Sequence, residues 1–313
     1  MSNLQSQISN IQSALQAVYP KDEAASLAWW IMEEETGLTR SQLLCGCKDT
    51  TNFANMQKIQ TIIDRLLHFE PIQYIYGHTI WNGLDLLVTP ATLIPRPETA
   101  ELVETIVNNF NRQSIVNRKS FNRQLNVLDV GTGSGCIAIS LKKAHPEWHV
   151  TGIDISPNAI EVAKENAKRN GVEVEFKIAD IFDSNEENLP YLQIVPQGKE
   201  SSIFNLQYDI VVSNPPYICE SEKSSMRPNV LNFEPSSALF VPDSDPLLFY
   251  RRIAELFSLP LHGKGRERGL FFEINEAYGP QLSAMLGGLG YTNIQIHKDI
   301  YGKQRFIEGR MAR

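Results

Sequence analysis

Val127-Leu128-Asp129-Val130-Gly131-Thr132-Gly133-Ser134-Gly135 carries an apolar run directly into a glycine-rich turn. The run reads as a buried strand. The glycines allow positive φ and let bare backbone come close to a ligand. A helix pattern follows over 135–145. Strand, glycine turn and helix together open a doubly wound α/β fold. Gly133-Ser134-Gly135-Cys136-Ile137-Ala138 satisfies the G-x-G-x-x-A dinucleotide fingerprint. Asp154, about 20 residues on, ends the next strand candidate, where a carboxylate can accept ribose hydroxyls. The loop by itself leaves open a dinucleotide site, another nucleoside site, or a turn with only a structural role.

Working outward, strands and helices alternate. Strand candidates lie at 126–130, 148–153, 173–178, 208–213, 268–274, 292–297 and 304–309. Helices fit 135–145, 157–169, 246–258 and 279–288. This alternation predicts a mainly parallel sheet covered on both faces. Only Lys298 to Lys303 separate the last two strands, too few residues for a parallel crossover, so that pair is expected to be antiparallel. A helix is predicted from about Glu98 to Asn109, and the polar, basic stretch Asn111 to Gln124 reads as a loop. An insertion over 184–205 also reads as an exposed loop.

Upstream, Leu4, Ile8, Ile11, Leu15 and Val18 share one helix face. Asp22 is positioned to cap a second helix carrying Ala25, Leu27, Trp29, Trp30 and Met32. A third runs from about Asn52 to His68 with Ile59, Ile62, Ile63, Leu66 and Leu67. Short helices with short links predict a small bundle over residues 1–70. Ile72 to Tyr76 and Leu84 to Val88 read as extended strands, with an Asn82-Gly83 turn in a hairpin linker over 71–95. The remaining domain spans 96–313. The chain has 313 residues, 42% hydrophobic, with a formal net charge of −7. That charge argues against a long duplex partner, and no direct nucleic-acid partner is expected. Of four cysteines, Cys45 and Cys47 form a C-x-C with no second pair, so no metal site is expected. The absence of an apolar span or signal-like start predicts no membrane partner and a cytoplasmic protein.

Asn214-Pro215-Pro216-Tyr217 ends the strand candidate at 208–213. Open α/β sheets bind ligands at that carboxyl edge. The Asn side-chain oxygen and a proline-stiffened backbone carbonyl can accept the two N–H bonds of a planar nitrogen group. Taken alone, the tetrad also reads as a Pro-Pro turn. The D-x-G-x-G-x-G order, beginning at Asp129, resembles motif I of class I methyltransferases, and Asp180-Ile181-Phe182 looks like their adenine-contacting segment. These details favour S-adenosylmethionine (leaving S-adenosylhomocysteine) over NAD. The expected cofactor residues are Asp129, Gly131, Thr132, Gly133, Ser134, Gly135, Asp154, Phe182 and Asn214. Asp129 is expected to organise the turn without titrating. Ser156 suits the cap of the helix at Pro157, leaving Asp154 for ribose.

With these motifs in order, the chain resembles the HemK/PrmC family of release factor glutamine methyltransferases. The resemblance rests on Pro71 to Gly77, Ile94-Pro95-Arg96-Pro97-Glu98-Thr99, the glycine loop, the tetrad, Glu234-Pro235, Phe249 to Ile253 and Gly302 to Phe306. It implies a class I S-adenosylmethionine-dependent methyltransferase fold, Rossmann-like, seven-stranded with an antiparallel last strand, preceded by the helical bundle and the β-hairpin linker. It also implies a bundle that helps dock class I peptide chain release factors. The substrate would be the glutamine of their Gly-Gly-Gln motif, methylated on its amide nitrogen. Asn214, Pro215, Pro216 and Tyr217 would be catalytic, with Asn214 and Pro215 accepting the amide N–H bonds and Tyr217 walling the flat amide. An adenine-N6 nucleic-acid methyltransferase shares the tetrad. A ribosomal-protein glutamine methyltransferase shares the chemistry but differs at Pro97-Glu98. The sequence departs from the family's usual pattern at Asn275, where Gly is frequent, and at Asp243 to Pro246.

Overall fold

The computed structural model describes residues 3–45, 56–117, 124–183, 208–258 and 268–311. The insertion at 184–205 and Cys47 lie outside them. The chain divides into two compact units, one of residues 1–77 with 227–233, the other of 78–226 with 234–313.

The first unit holds α1 (Asn3–Leu15), α2 (Lys21–Thr36), α3 (Arg40–Cys45), α4 (Met56–Leu67) and α5 (Ile72–Tyr76). Leu4, Ile8, Ile11 and Leu15 are buried along α1 as their spacing predicts, while Val18 lies beyond the helix and is exposed. On α2 the buried stripe is Ala24, Ala28, Ile31 and Met32. Of the apolar residues named on this helix from the sequence, Met32 is the buried one. Alanines fill the close contact, and the bulkier Leu27, Trp29 and Trp30 pack at its border. Asp22 sits in the first turn and makes no cap hydrogen bond. Ile59, Ile62, Ile63 and Leu66 are buried on α4. The expected strand at Ile72 to Tyr76 is instead the helix α5. The Pro71 carbonyl accepts from the N–H groups of Tyr74 and Ile75. Gly77, at φ +76°, closes the turn by donating to the Gln73 carbonyl. A segment distant in sequence, Arg227–Phe233, belongs to this unit, and Arg227 there forms a two-pronged ion pair with Glu23 at 2.7 and 2.8 Å.

The second unit begins with a hairpin, β1 (His78–Trp81) and β2 (Leu84–Leu87). Asn82 and Gly83 both have positive φ, +48° and +71°, the requirement of a type I′ turn. α6 (Pro97–Asn117) starts on the proline, as a first-turn proline should. It runs well past Asn109 into the stretch read as a loop. Polar composition does not stop a helix, and neither Gly nor Pro occurs between Glu98 and Asn117 to break it.

The alternating region then follows: β3 (Asn126–Val130), α7 (Cys136–Ala144), β4 (His149–Asp154), α8 (Pro157–Arg169), β5 (Glu175–Ile178), β6 (Ile210–Ser213), β7 (Ile218–Cys219), α9 (Pro228–Leu231), β8 (Phe240–Val241), α10 (Leu248–Ser258), β9 (Arg268–Glu273), α11 (Gly279–Gly288), β10 (Thr292–Lys298) and β11 (Gln304–Met311). Seven strands form one sheet in the order β10-β11-β9-β6-β3-β4-β5. β3 pairs in parallel with both β4 and β6, and β11 is antiparallel to both of its neighbours, β9 and β10. Alternate residues of the central strands feed opposite faces. Leu128, Val211, Leu270 and Phe272 pack with α10 and α11 through Tyr250, Ile253, Phe257 and Leu282. Val127, Ile210, Val212 and Phe271 pack with α6 and α7 through Leu102, Ile106 and Ile139. Trp81, Leu84 and Leu86 of the hairpin join that second layer.

Crowding behind the glycine loop is tight. A Cβ on Gly152 of β4 would lie 2.7 Å from the Phe176 ring and 2.8 Å from Thr132 Oγ1. Gly152→Ala is expected to destabilise the protein by ~1–3 kcal/mol through overpacking, read from its urea midpoint.

Candidate active site

β3 lies where the strand order reverses, so the chain leaves β3 and β6 toward opposite sides and opens a crevice at their carboxyl ends. A cavity of about 480 Å³ occupies that edge. Its size is that of a small-molecule site. Gly131 to Ser134 of the glycine loop, Asp154, Phe182 and Asn214 to Pro216 line it, while Asp129 and Gly135 do not.

Hydrogen bonds from both sides hold the loop. Thr132 donates its N–H to the Ile153 carbonyl at 2.9 Å and its hydroxyl to Asp129 Oδ2 at 2.6 Å. The Ala138 N–H reaches the same oxygen at 3.3 Å. Asp154 Oδ2 accepts from the Gly133 N–H and Oδ1 from the Ser156 N–H, each at 2.9 Å. Ser156 caps α8, accepting from the Ala159 N–H. Asp154 therefore shapes the loop as well as facing the cavity; each of its oxygens keeps a second lone pair for a ligand hydroxyl. Asn166, absent from the sequence-based list, donates to the Ser134 carbonyl at 2.8 Å while clamping Leu87 of the hairpin through both its N–H and its carbonyl.

These residues fit a nucleoside-bearing amino acid cofactor. Gly131 and Gly133 stand at φ +70° and +55°, and a Cβ on Gly131 would meet nothing within 4 Å, so naked backbone borders the cavity. Ile155 and Phe182 are apolar yet 59% and 41% exposed on the rim, where a flat base can be covered. Phe182 is braced edge-on by Phe249, ring centroids 5.3 Å apart, and its N–H is held by Asp180. Asp129 Oδ1 is buried without a hydrogen-bond partner beneath the loop. Burial pushes the Asp129 carboxyl up to about 7, against the pull of its bonds from Thr132 and Ala138. Desolvation of this carboxyl outweighs its two donors. Burial also raises Asp154 above the usual carboxylate range.

The tetrad leaves β6 in a net of side chains. Ser213 is anchored to the Val130 carbonyl at 2.6 Å. Asn214 Nδ2 donates to Thr99 Oγ1 at 3.4 Å, and Thr99 donates to Glu273 Oε2 at 2.7 Å. Tyr217 donates its hydroxyl to Glu273 Oε1 at 3.1 Å and packs against the core. Asn214, Pro215 and Pro216 line the cavity; Tyr217 lies behind them and is not on its wall. Asn275, one of the family departures, donates to the Tyr217 carbonyl at 3.2 Å and so fixes the chain beyond the tetrad. The other departure is also employed: Asp243 accepts from Ser221, and Asp245 pairs with Arg251. Glu273 is 1% exposed, raised by burial and pulled down by Thr99, Tyr217 and Arg305. Sequence reasoning passed over it. Its signal was a carboxylate ending the otherwise apolar Leu270-Phe271-Phe272, because such groups are rarely buried without partners. Arg96 meets Glu234 at 2.6 Å, and the Ile94 N–H reaches the same carboxylate, tying two family segments together at the cavity.

Asp154→Ala should lower S-adenosylmethionine affinity by about tenfold or more in calorimetry, because a ligand acceptor and the tie to Gly133 vanish together. The raised Asp129 predicts a pH effect. Its folded carboxyl holds a proton up to about 7 while the unfolded one releases it near 3.8, so this group costs stability as pH rises between those values. Asp129→Asn should remove that slope, its stability relative to the parent growing by at most ~1.4 kcal/mol per pH unit across the window, as followed by urea unfolding.

Known proteins resemble this chain along most of its length. A family model described as the PrmC N-terminal domain matches residues 8–77, and one described as a methyltransferase domain matches 121–241. A release factor glutamine methyltransferase of Bacteroides thetaiotaomicron is 40% identical over 297 residues, covering 95% of this chain and 96% of that protein. One from Flavobacterium psychrophilum is 38% identical, covering 94% of each. A solved protein-(glutamine-N5) methyltransferase (release factor-specific) from Alicyclobacillus acidocaldarius is 26% identical, with a TM-score of 0.37 over 72% of this chain and 98% of that one. The cofactor of such a methyltransferase is S-adenosylmethionine, which the cradle at β3 and β4 suits. The identity and coverage of these relatives establish that the chain belongs to the release factor glutamine methyltransferase family.

Proposed function

We propose that the protein methylates the side-chain amide nitrogen of the glutamine in the Gly-Gly-Gln motif of class I peptide chain release factors. The observation that carries this reading is the junction of β3 and β6. There the glycine loop and the acceptor pair of Asn214 and Pro215 border one cavity. When bound, S-adenosylmethionine supplies an electrophilic methyl group on a sulfonium.

The protein's task is to hold a poor nucleophile. An amide nitrogen shares its lone pair with its carbonyl, so accepting both of its N–H bonds pins the group and shifts electron density onto nitrogen. Asn214 Oδ1 and the Pro215 carbonyl are the acceptors in this reading, and the two prolines stiffen the backbone that aims the second one. Tyr217 acts from behind the tetrad: its bond to Glu273 and the bond of Asn275 to its carbonyl keep the turn from relaxing. Orientation of this kind can supply much of the rate. No strong base is needed, because the methylated, positively charged nitrogen is acidic and can release its proton to water. The helical unit of residues 1–70 serves in this reading to dock the release factor, and the matched relatives' names support that substrate class.

Asn214→Ala should lower turnover by ~100-fold or more, far more than it lowers S-adenosylmethionine affinity. The assay offers labelled S-adenosylmethionine with purified release factor, ribosomal proteins or DNA. Label in the release factor glutamine is the expected result. Label confined to ribosomal proteins or to DNA would replace the substrate.

A further inference from the structure

The bond directions around Glu273 determine which end of the Asn214 amide can accept. Thr99 has one hydroxyl proton and two lone pairs. With Glu273 ionised, as its bonds from Thr99 and Tyr217 and the nearby Arg305 favour, the Thr99 proton goes to that carboxylate at 2.7 Å, whose other oxygen takes the Tyr217 hydroxyl at 3.1 Å. Thr99 Oγ1 can then only accept from Asn214, and it does so from Nδ2 at 3.4 Å. The four groups come from α6, the turn after β6, and β9, so the arrangement exists only in the folded unit.

We infer that Glu273 and Thr99 form a positioning relay that sets the flip of the Asn214 amide, turning its NH₂ inward and keeping its oxygen as the accepting end for a substrate amide. This inference rests on the glutamine reading above. With the opposite flip, Asn214 would present N–H groups to the N–H groups of the substrate, donor against donor. The relay also ties Asn214 and Tyr217 to one carboxylate, so the first and last residues of the tetrad share an anchor. Its chemistry favours a carboxamide over a carboxylate substrate, because an accepting Asn214 oxygen repels a carboxylate oxygen. Glu273 and Thr99 touch no reacting atom in this account; they act through Asn214.

Four proteins test this, the parent, Thr99→Val, Thr99→Ser and Glu273→Gln, each with purified release factor as methyl acceptor and with S-adenosylmethionine affinity measured separately by calorimetry. Thr99→Val removes the relay hydroxyl at nearly constant volume and should lower kcat by ~10–100-fold. Cofactor affinity should stay within about twofold. Thr99→Ser should recover most of the lost turnover, which a purely space-filling role would not predict. Glu273→Gln, whose NH₂ can donate to Thr99 and reverse the relay, should fall as Thr99→Val does. The relay is overturned by undiminished kcat in Thr99→Val, by equal damage in Thr99→Ser, or by cofactor affinity falling in parallel with kcat in both Thr99→Val and Glu273→Gln. Failure of the parent protein to label the release factor would instead overturn the substrate reading, and the relay's purpose with it.

Discussion

The reversal of strand order at β3 is the constraint on which the site depends. Because β3 has parallel neighbours on both sides, its end and that of β6 open side by side, while the segments that follow are carried away in opposite directions. A crevice must remain between them. Everything else stabilises its two lips. On one side Asp129, Asp154 and Asn166 hold a glycine loop whose positive φ values leave its backbone bare. On the other, Ser213 ties β6 back to β3, and Glu273 gathers Thr99 and Tyr217 around the tetrad.

Three carboxylates around this crevice are raised by burial: Asp129, Asp154 and Glu273. Each is kept from being an isolated buried charge by backbone or hydroxyl donors. Such groups cost stability. Their return is geometric, since each oxygen that accepts a bond fixes the direction of a loop, an amide or a phenol. The site thus stores its precision in polar contacts within an apolar sheet, where the low dielectric makes every wrong orientation expensive.

Much of this was legible beforehand. The strands at 126–130 and 208–213, the helices at 157–169 and 279–288, and the antiparallel final pair follow from hydrophobic runs and connection lengths, which are local properties. The glycine loop, Asp154 and the tetrad were legible because each needs a particular residue type at a particular spacing. Errors fell where local pattern was ambiguous. Ile72 to Tyr76 alternates like a strand, but Pro71 and Gly77 close it into a helical turn. Asn111 to Gln124 is polar like a loop, but no Gly or Pro stops α6 before Asn117.

The sequence by itself determined the alternation of sheet strands and helices after Asn126, the glycine-rich turn after β3 and the Asn-Pro-Pro-Tyr tetrad after β6, because those depend on residues near one another in the chain. Only the tertiary structure decided how the tetrad is held. Thr99, Asn214, Tyr217 and Glu273 lie as much as 174 residues apart, between Thr99 and Glu273, and their bonds depend on strand register and helix placement. It also gave Tyr217 a tie to Glu273 that local spacing could not show. A hydrogen bond's direction is set by which neighbour already holds the proton, and only packing brings those neighbours together.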